Sequence, residues 1–324
     1  MFDRRAAFRL IAAAACALLM PAAATAADFP ARPINLVVPY GPGTGSDLIA
    51  RVVAQYMGQQ LNQSVIVQNR PGVTGGVGTM DVVHAEPDGY MLIFGTNATL
   101  ITTPILYKKM NYDPTKDLTP VALVARGALM LVTRTAPGGA KTLKELTEQL
   151  KAKPGTYGST GLGTNGDIIS RLMLKQIGAS ARLVTYRGSG DSLIGLIQGD
   201  TTFVIDTPTA VLPMIKNHQL RPIAVTGTDR LKELPDMPTF DQLGVKLDET
   251  TWYGILAPAK TPANVVKVLS DAIERTVKDP KVQERFEALE IYPAFTDGAG
   301  FKKLLIDEEK SFGGFIRSTG IKAE

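Results

Sequence analysis

The residues best placed to do chemistry are glycines and hydroxyl side chains. An apolar run, Ile34 to Val38, breaks at Pro39 into a turn that holds Gly41, Gly43 and Gly45. Ser46 or Asp47 can start the helix that follows, because a short side-chain oxygen accepts hydrogen bonds from N–H groups the first turn leaves unpaired. Such a turn gathers free N–H groups and the positive end of a helix dipole in one concave place, which suits a carboxylate or a phosphate. No Lys or Arg lies between Pro33 and Ala50, so charge compensation there falls to the backbone. The same residues also suit a tight strand-to-helix connection without a ligand.

Two further glycine loops repeat the theme. Asn69 to Met80, with Gly75 and Gly76, follows a strand read at Val65 to Gln68, and Thr156 to Gly166 carries Thr160, Gly161, Gly163 and Thr164. A polar cluster, Gly95, Thr96 and Asn97, closes a strand at Met91 to Phe94. Among the acids, Asp47 suits the first turn of a helix and Asp167, three residues after Thr164, suits a capping box. Either can instead face a ligand. Asp206 ends a strand at Phe203 to Ile205, where a crevice loop begins, and Arg187 either neutralises a ligand anion or is a solvated loop charge.

Other chemistries lack their parts. The dinucleotide fingerprint needs G-x-G-x-x-G and an acid ending the next strand, whereas here Ser46 replaces the third glycine and the second strand ends in Gln68-Asn69. His84 and His218 have no ligand spacing between them, so no metal site is expected. Gly158-Ser159-Thr160-Gly161 is not a nucleophile elbow. No catalytic residue and no cofactor are expected.

The elements that position these loops read as an α/β chain. Apolar residues at helical spacing follow the first turn (Ile49, Val52, Val53, Tyr56, Met57) and the third (Ile168, Ile169, Leu172, Met173, Ile177). Strands alternating with helices predict mostly parallel sheets, whose C-terminal loops gather in one crevice. Val121 to Val132, interrupted at Arg126-Gly127, reads as a strand passing between two lobes, and Trp252 to Ala257 as the return. The expected lobes are 27–127 with 253–324, and an inserted 128–252. No short-period repeat is evident.

The chain starts with the pattern of an export signal over 1–26: Arg4, Arg5 and Arg9, an apolar core, and an Ala24-Thr25-Ala26 cleavage site. Removing it lowers the formal charge from +4 to +2, and no basic tract suggests nucleic acid. The single cysteine, Cys16, lies inside the signal core, so neither lipid nor disulfide is expected in the mature chain. About 298 residues remain, the size of two α/β lobes. A soluble periplasmic protein is expected.

Six segments in order carry a resemblance: ARPINLVVPYGPGTGSDLIAR (31–51), VQNRPGVTGGVGT (67–79), YGSTGLGTNGDI (157–168), VTYRGSGDSLIGLIQGD (184–200), RLKELPDMPTFDQLG (230–244) and WYGILAPAKTP (252–262). Together they resemble the periplasmic solute receptors of tripartite tricarboxylate transporters, the Bug receptors, over nearly all of the mature chain. The resemblance implies a two-lobed type II periplasmic binding fold. It closes on a small organic acid, a mono- or dicarboxylate, and docks on a membrane permease, with a monomer as the natural state of a receptor that must open and close. Ligand contacts are then expected from Tyr40, Gly41, Pro42, Gly43, Thr44, Gly45 and Asp47 in the first loop. Gly75, Gly76, Thr96 and Asn97 extend that set in the first lobe, and Thr160, Gly161, Gly163, Thr164, Asp167, Arg187 and Asp206 complete it in the second. The sequence departs from the family where Gly43-Thr44-Gly45 replaces adjacent glycines and where Asp167 stands in place of a usual His. An acid there is expected to disfavour dianions and to favour a monoacid or a ligand with a donor group. Two other readings compete: a periplasmic sensor that presents ligand to a membrane kinase, and an exported hydrolase using Asp206 as base.

Overall fold

The computed structural model describes residues 29–247, 250–318 and 321, so the expected export signal lies outside the described residues. From Arg32 onward the chain forms one body that contains two sheets. It opens with β1 (Ile34–Val38), α1 (Gly45–Leu61), β2 (Val65–Asn69), α2 (Gly76–Val83), β3 (Met91–Thr96) and β4 (Leu118–Gly127). The second sheet follows with β5 (Met130–Arg134), α3 (Leu143–Ala152), β6 (Gly155–Ser159), α4 (Asn165–Ile177), β7 (Ala181–Thr185), α5 (Ser189–Gln198), β8 (Phe203–Asp206), α6 (Pro208–Lys216) and β9 (Leu220–Val225). The chain returns through β10 (Thr251–Pro258), α7 (Ala263–Lys278), α8 (Pro280–Ala288), β11 (Ile291–Asp297) and α9 (Gly298–Ser318).

The six-stranded sheet has the order β11-β4-β10-β3-β1-β2 and the five-stranded sheet β7-β6-β8-β5-β9. Both are mixed. Parallel pairing holds for β2-β1-β3 and β7-β6-β8, while β10 and β5 run antiparallel beside them. These antiparallel members belong to the two passages between sheets: β4 gives way to β5 at Ala128 and Leu129, and β10 brings the chain back. In each sheet the central parallel strand, β1 or β6, has its two parallel partners on opposite sides. That is the switch point at which α/β sheets open a crevice.

Helix α1 forms because its apolar positions fall on one stripe, and Ile49, Val53 and Met57 are fully buried. It ends at Asn62, whose left-handed φ of 48° returns the backbone N–H to Gly58 and Gln59. Helix α4 buries Ile168, Ile169, Leu172 and Met173 and ends at Gly178 with φ 64°. The segment Asn69 to Met80, read as a loop, instead enters α2 at Gly76, after a left-handed Gly75 with φ 85° and with Val82 wholly buried. Strand β10 is buried along its whole length, and Trp252 meets Phe301 of α9 edge-on at 5.4 Å. Among the described residues, no helix is long and apolar enough to cross a membrane.

Candidate ligand-binding cleft

The turns after β1 and β6 carry one pattern twice, 120 residues apart: Gly-x-Gly-Thr-x-x-Asp-x-x-x-Arg, at 41–51 and 161–171. Their bonds match. Gly43 and Gly163 adopt left-handed φ values of 78° and 82°, a conformation glycine enters without a Cβ penalty. Each directs its N–H to a carboxylate four residues on, Gly43 to Asp47 at 2.9 Å and Gly163 to Asp167 at 2.8 Å. The Thr44 and Thr164 hydroxyls donate to the Gly41 and Gly161 carbonyls, both at 2.9 Å. Arg51 and Arg171 then close on the same acids, one helical turn later, at 2.9 and 2.8 Å.

Both acids are thereby turned inward. Asp47 also accepts the Asn69 amide at 2.9 Å. Burial pushes its carboxyl up, but Arg51, the Gly43 N–H and Asn69 outweigh this and hold it below the usual carboxylate range. Asp167 is fully buried and accepts the Tyr157 hydroxyl at 2.5 Å besides Gly163 and Arg171. An Asp167 charge facing a ligand dianion is therefore not what the structure holds: its oxygens are paired inside the second sheet's own loop.

With Gly43 and Gly163 so engaged, the free donors shift to the first helical residues, whose N–H groups have no partner one turn back. Gly45 and Ser46 of α1 and Asn165 and Gly166 of α4 border one cavity, with an empty space of about 540 Å³ including its mouth. Tyr40 and Thr160, equivalent in the two patterns, also line it, as do Thr44 and Thr164. The ends of the neighbouring strands complete the wall with Thr96, Ile205, Asp206, Thr207, Thr251 and Tyr253, together with Leu129, Ser159 and Ser189. The Tyr40 hydroxyl shares a hydrogen bond of 2.9 Å with Thr96, and burial raises its pKa to about 12, so it stays protonated at neutral pH.

Of the residues expected from the sequence, Tyr40, Thr44, Gly45, Thr96, Thr160, Thr164 and Asp206 border this cavity. Gly41, Pro42, Gly43, Asp47, Gly75, Gly76, Asn97, Gly161, Gly163 and Asp167 lie outside its wall, and Arg187 is an exposed loop charge. Asn97 acts from behind: its Oδ1 accepts Asn165 Nδ2 at 2.7 Å, and the same amide donates to Thr251 at 2.7 Å. Ser46, Ser159, Asn165, Gly166, Ser189, Thr207, Thr251 and Tyr253 are wall residues that the sequence reading passed over. The 120-residue repeat is the signal that finds the loop members among them.

The two sheets touch around the cavity. Leu162 O accepts Thr74 Oγ1 at 2.7 Å and the Tyr107 hydroxyl at 3.0 Å, and Thr209 Oγ1 donates to Leu289 O at 2.8 Å. A methyl group at Gly45 would stand 2.8 Å from Thr207 Oγ1. A larger groove of about 1330 Å³ lies between the 100–115 segment and α9, but its floor is Leu100, Ile101, Pro104 and Ile105 and it contains none of the paired loops. Neither histidine borders the cleft, and no group of metal-binding side chains is found among the described residues. What the cleft offers is hydroxyls, N–H groups and one acid, arranged to hold a small polar molecule.

Two mixed sheets with a cleft at their paired switch points define an α/β solute-binding protein. The family model described as "Tripartite tricarboxylate transporter family receptor" matches residues 49–321. The chain is 31% identical to the protein BugT of Bordetella pertussis over 93% of this chain and 94% of that one. Among solved structures, the periplasmic binding protein BugD is 27% identical, with a TM-score of 0.85 over 91% of this chain and all of that one. A protein of R. palustris, Rpa4515 with adipate, is 27% identical, with a TM-score of 0.86 over 91% and 99% of the two chains. The chain belongs to the tripartite tricarboxylate transporter receptor family and has the periplasmic binding protein fold. It is a solute-binding receptor, not an enzyme.

Proposed function

We propose that this chain, freed of residues 1–26 on export, captures a small carboxylate-bearing molecule in the periplasm and delivers it to the membrane permease of a tripartite tricarboxylate transporter. The observation that carries this reading is the pair of helix N-termini, α1 and α4, bordering one cavity whose wall has no Lys, Arg or His among the described residues. Two such ends favour an anion through aligned N–H groups. Tyr40, Thr44, Gly45, Thr96, Thr160, Thr164 and Asp206 are the ligand contacts in this reading. Gly41, Gly43, Gly161 and Gly163 shape the turns that present them. The lobes are 27–127 with 253–324, and 128–252, hinged at the two passages. Ligand touching both lobes stabilises the closed form by its greater affinity for it.

A melting-temperature screen of the refolded, ligand-free mature protein against small organic acids tests this. One acid or a related group should raise the melting temperature steadily with concentration, by mass action. A flat panel with a correctly refolded protein would contradict the reading.

A further inference from the structure

Strands β3 and β8 occupy the same place in their sheets, each the inner parallel neighbour of the strand that carries a binding loop, next to the antiparallel strand. Each ends at the cavity, β3 in Thr96 and β8 in Asp206. The first end is neutral and its hydroxyl is taken by Tyr40. The second is a carboxylate with no Lys, Arg or His paired to it among the described residues, and it is the only carboxylic side chain in the cavity wall. Its Oδ1 accepts the Thr207 N–H at 2.7 Å and the Thr207 hydroxyl at 3.4 Å, local bonds just ahead of α6 that both fall on one oxygen of a group bordering the cleft. Loss of hydration pushes the Asp206 carboxyl up, against the lowering by Ser189 and Thr207.

A second acceptor stands at the same corner. Asn165 spends both amide hydrogens on Asn97 and Thr251, and its Oδ1 is buried with no partner. The corner is tight, because Gly166 packs so close to Ile205 that a Cβ there would lie 2.4 Å from the Ile205 carbonyl oxygen. An unpaired buried acceptor and a half-buried carboxylate without a cation both call for the same thing, a donor that carries positive charge. A second carboxylate would instead meet like charge.

Resting on the carboxylate-receptor reading above, we infer that the ligand is zwitterionic: a small amino acid whose carboxylate sits at the helix N-termini and whose ammonium group sits at Asp206 and Asn165 Oδ1.

The test is a calorimetric titration of refolded protein with matched pairs that differ only in the amine: alanine and propionate, aspartate and succinate, glutamate and glutarate. The amine-bearing member of at least one pair should bind about ten- to hundredfold more tightly, the span of one charge-assisted hydrogen bond. Asp206→Asn, which keeps the acceptor for Thr207, should remove most of that preference while the ligand-free protein melts within a few degrees of wild type. Acids that bind equally with and without the amine, or a preference that survives Asp206→Asn, would overturn the inference and leave the carboxylate receptor standing. Tighter binding of the amine-free members would also overturn it, since Asp206 would then be acting as a protonated donor. No binding by any member of any pair would count against the receptor reading itself.

Discussion

The turn at 41–51 and the turn at 161–171 make the same hydrogen bonds from the same residue types, yet they are embedded differently. In the first, Arg51 is half exposed and the Gly43 position is open, with no atom within 4 Å of a Cβ placed there. In the second, Asp167 is sealed against Tyr157, and a Cβ at Gly163 would lie 2.7 Å from Leu106. The bonding pattern thus defines the shape of a binding loop, while burial decides how firmly that shape is held. The first loop is a surface element that can adjust, and the second is built into the junction of the two sheets.

Substitutions at equivalent positions should separate the two loops. The largest expected effect is Gly166→Ser, which drives a side chain into the Ile205 carbonyl and should cost about 2–4 kcal/mol in denaturant unfolding. The equivalent exchange in the first loop, Ser46→Gly, should cost about 1 kcal/mol or less. Next, Asp167→Asn should destabilise by about 2–3 kcal/mol, because it removes the charge facing Arg171 in a dry site. Asp47→Asn should cost about 1–2 kcal/mol, and its effect is tied to pH. The folded Asp47 carboxyl lies below its unfolded value. Its contribution is therefore fully present above about pH 3.9, falls as the pH drops through the depressed folded value, and is absent in Asp47→Asn. Acid unfolding curves of the two proteins should converge at low pH.

A smaller effect on folding but a larger one on binding is expected for Gly45→Ala. Its methyl group meets Thr207 across the cleft, so ligand affinity should fall about tenfold while the ligand-free melting temperature barely moves. The smallest change is Arg51→Gln, at about 0.5–1 kcal/mol, since the partner of Asp47 is half in water.

How far the site was legible follows from the same physics. The strand, turn and helix at 34–61 could be read because glycine spacing and apolar periodicity are both local signals. Strands β6, β9 and β11 were not seen. Gly155 and Gly158 hide β6 within what reads as a loop at 156–166, whereas β9 and β11 are edge strands whose patterns Pro222 and Pro293 break in the way an edge tolerates. The parallel halves of the sheets were expected from alternation of elements, but the antiparallel members depend on passages between sheets that no local pattern encodes. Within the site, Asp47 and Asp167 could be read as capping acids or as ligand contacts. Only the position of a glycine N–H four residues earlier turns them inward. Asn165 and Thr251 meet across 86 residues of sequence, and neither residue type marks a site by itself.

The claim that both loops hold one ligand is tested most directly by amide chemical shifts in an isotope-labelled protein titrated with an acid that stabilises it. The expected result is simultaneous perturbation of Gly45 and Ser46 in one loop and of Asn165 and Gly166 in the other, saturating at a single affinity. Perturbations confined to one loop, or centred on the groove between Leu100 and Leu305, would contradict a ligand held between paired helix ends.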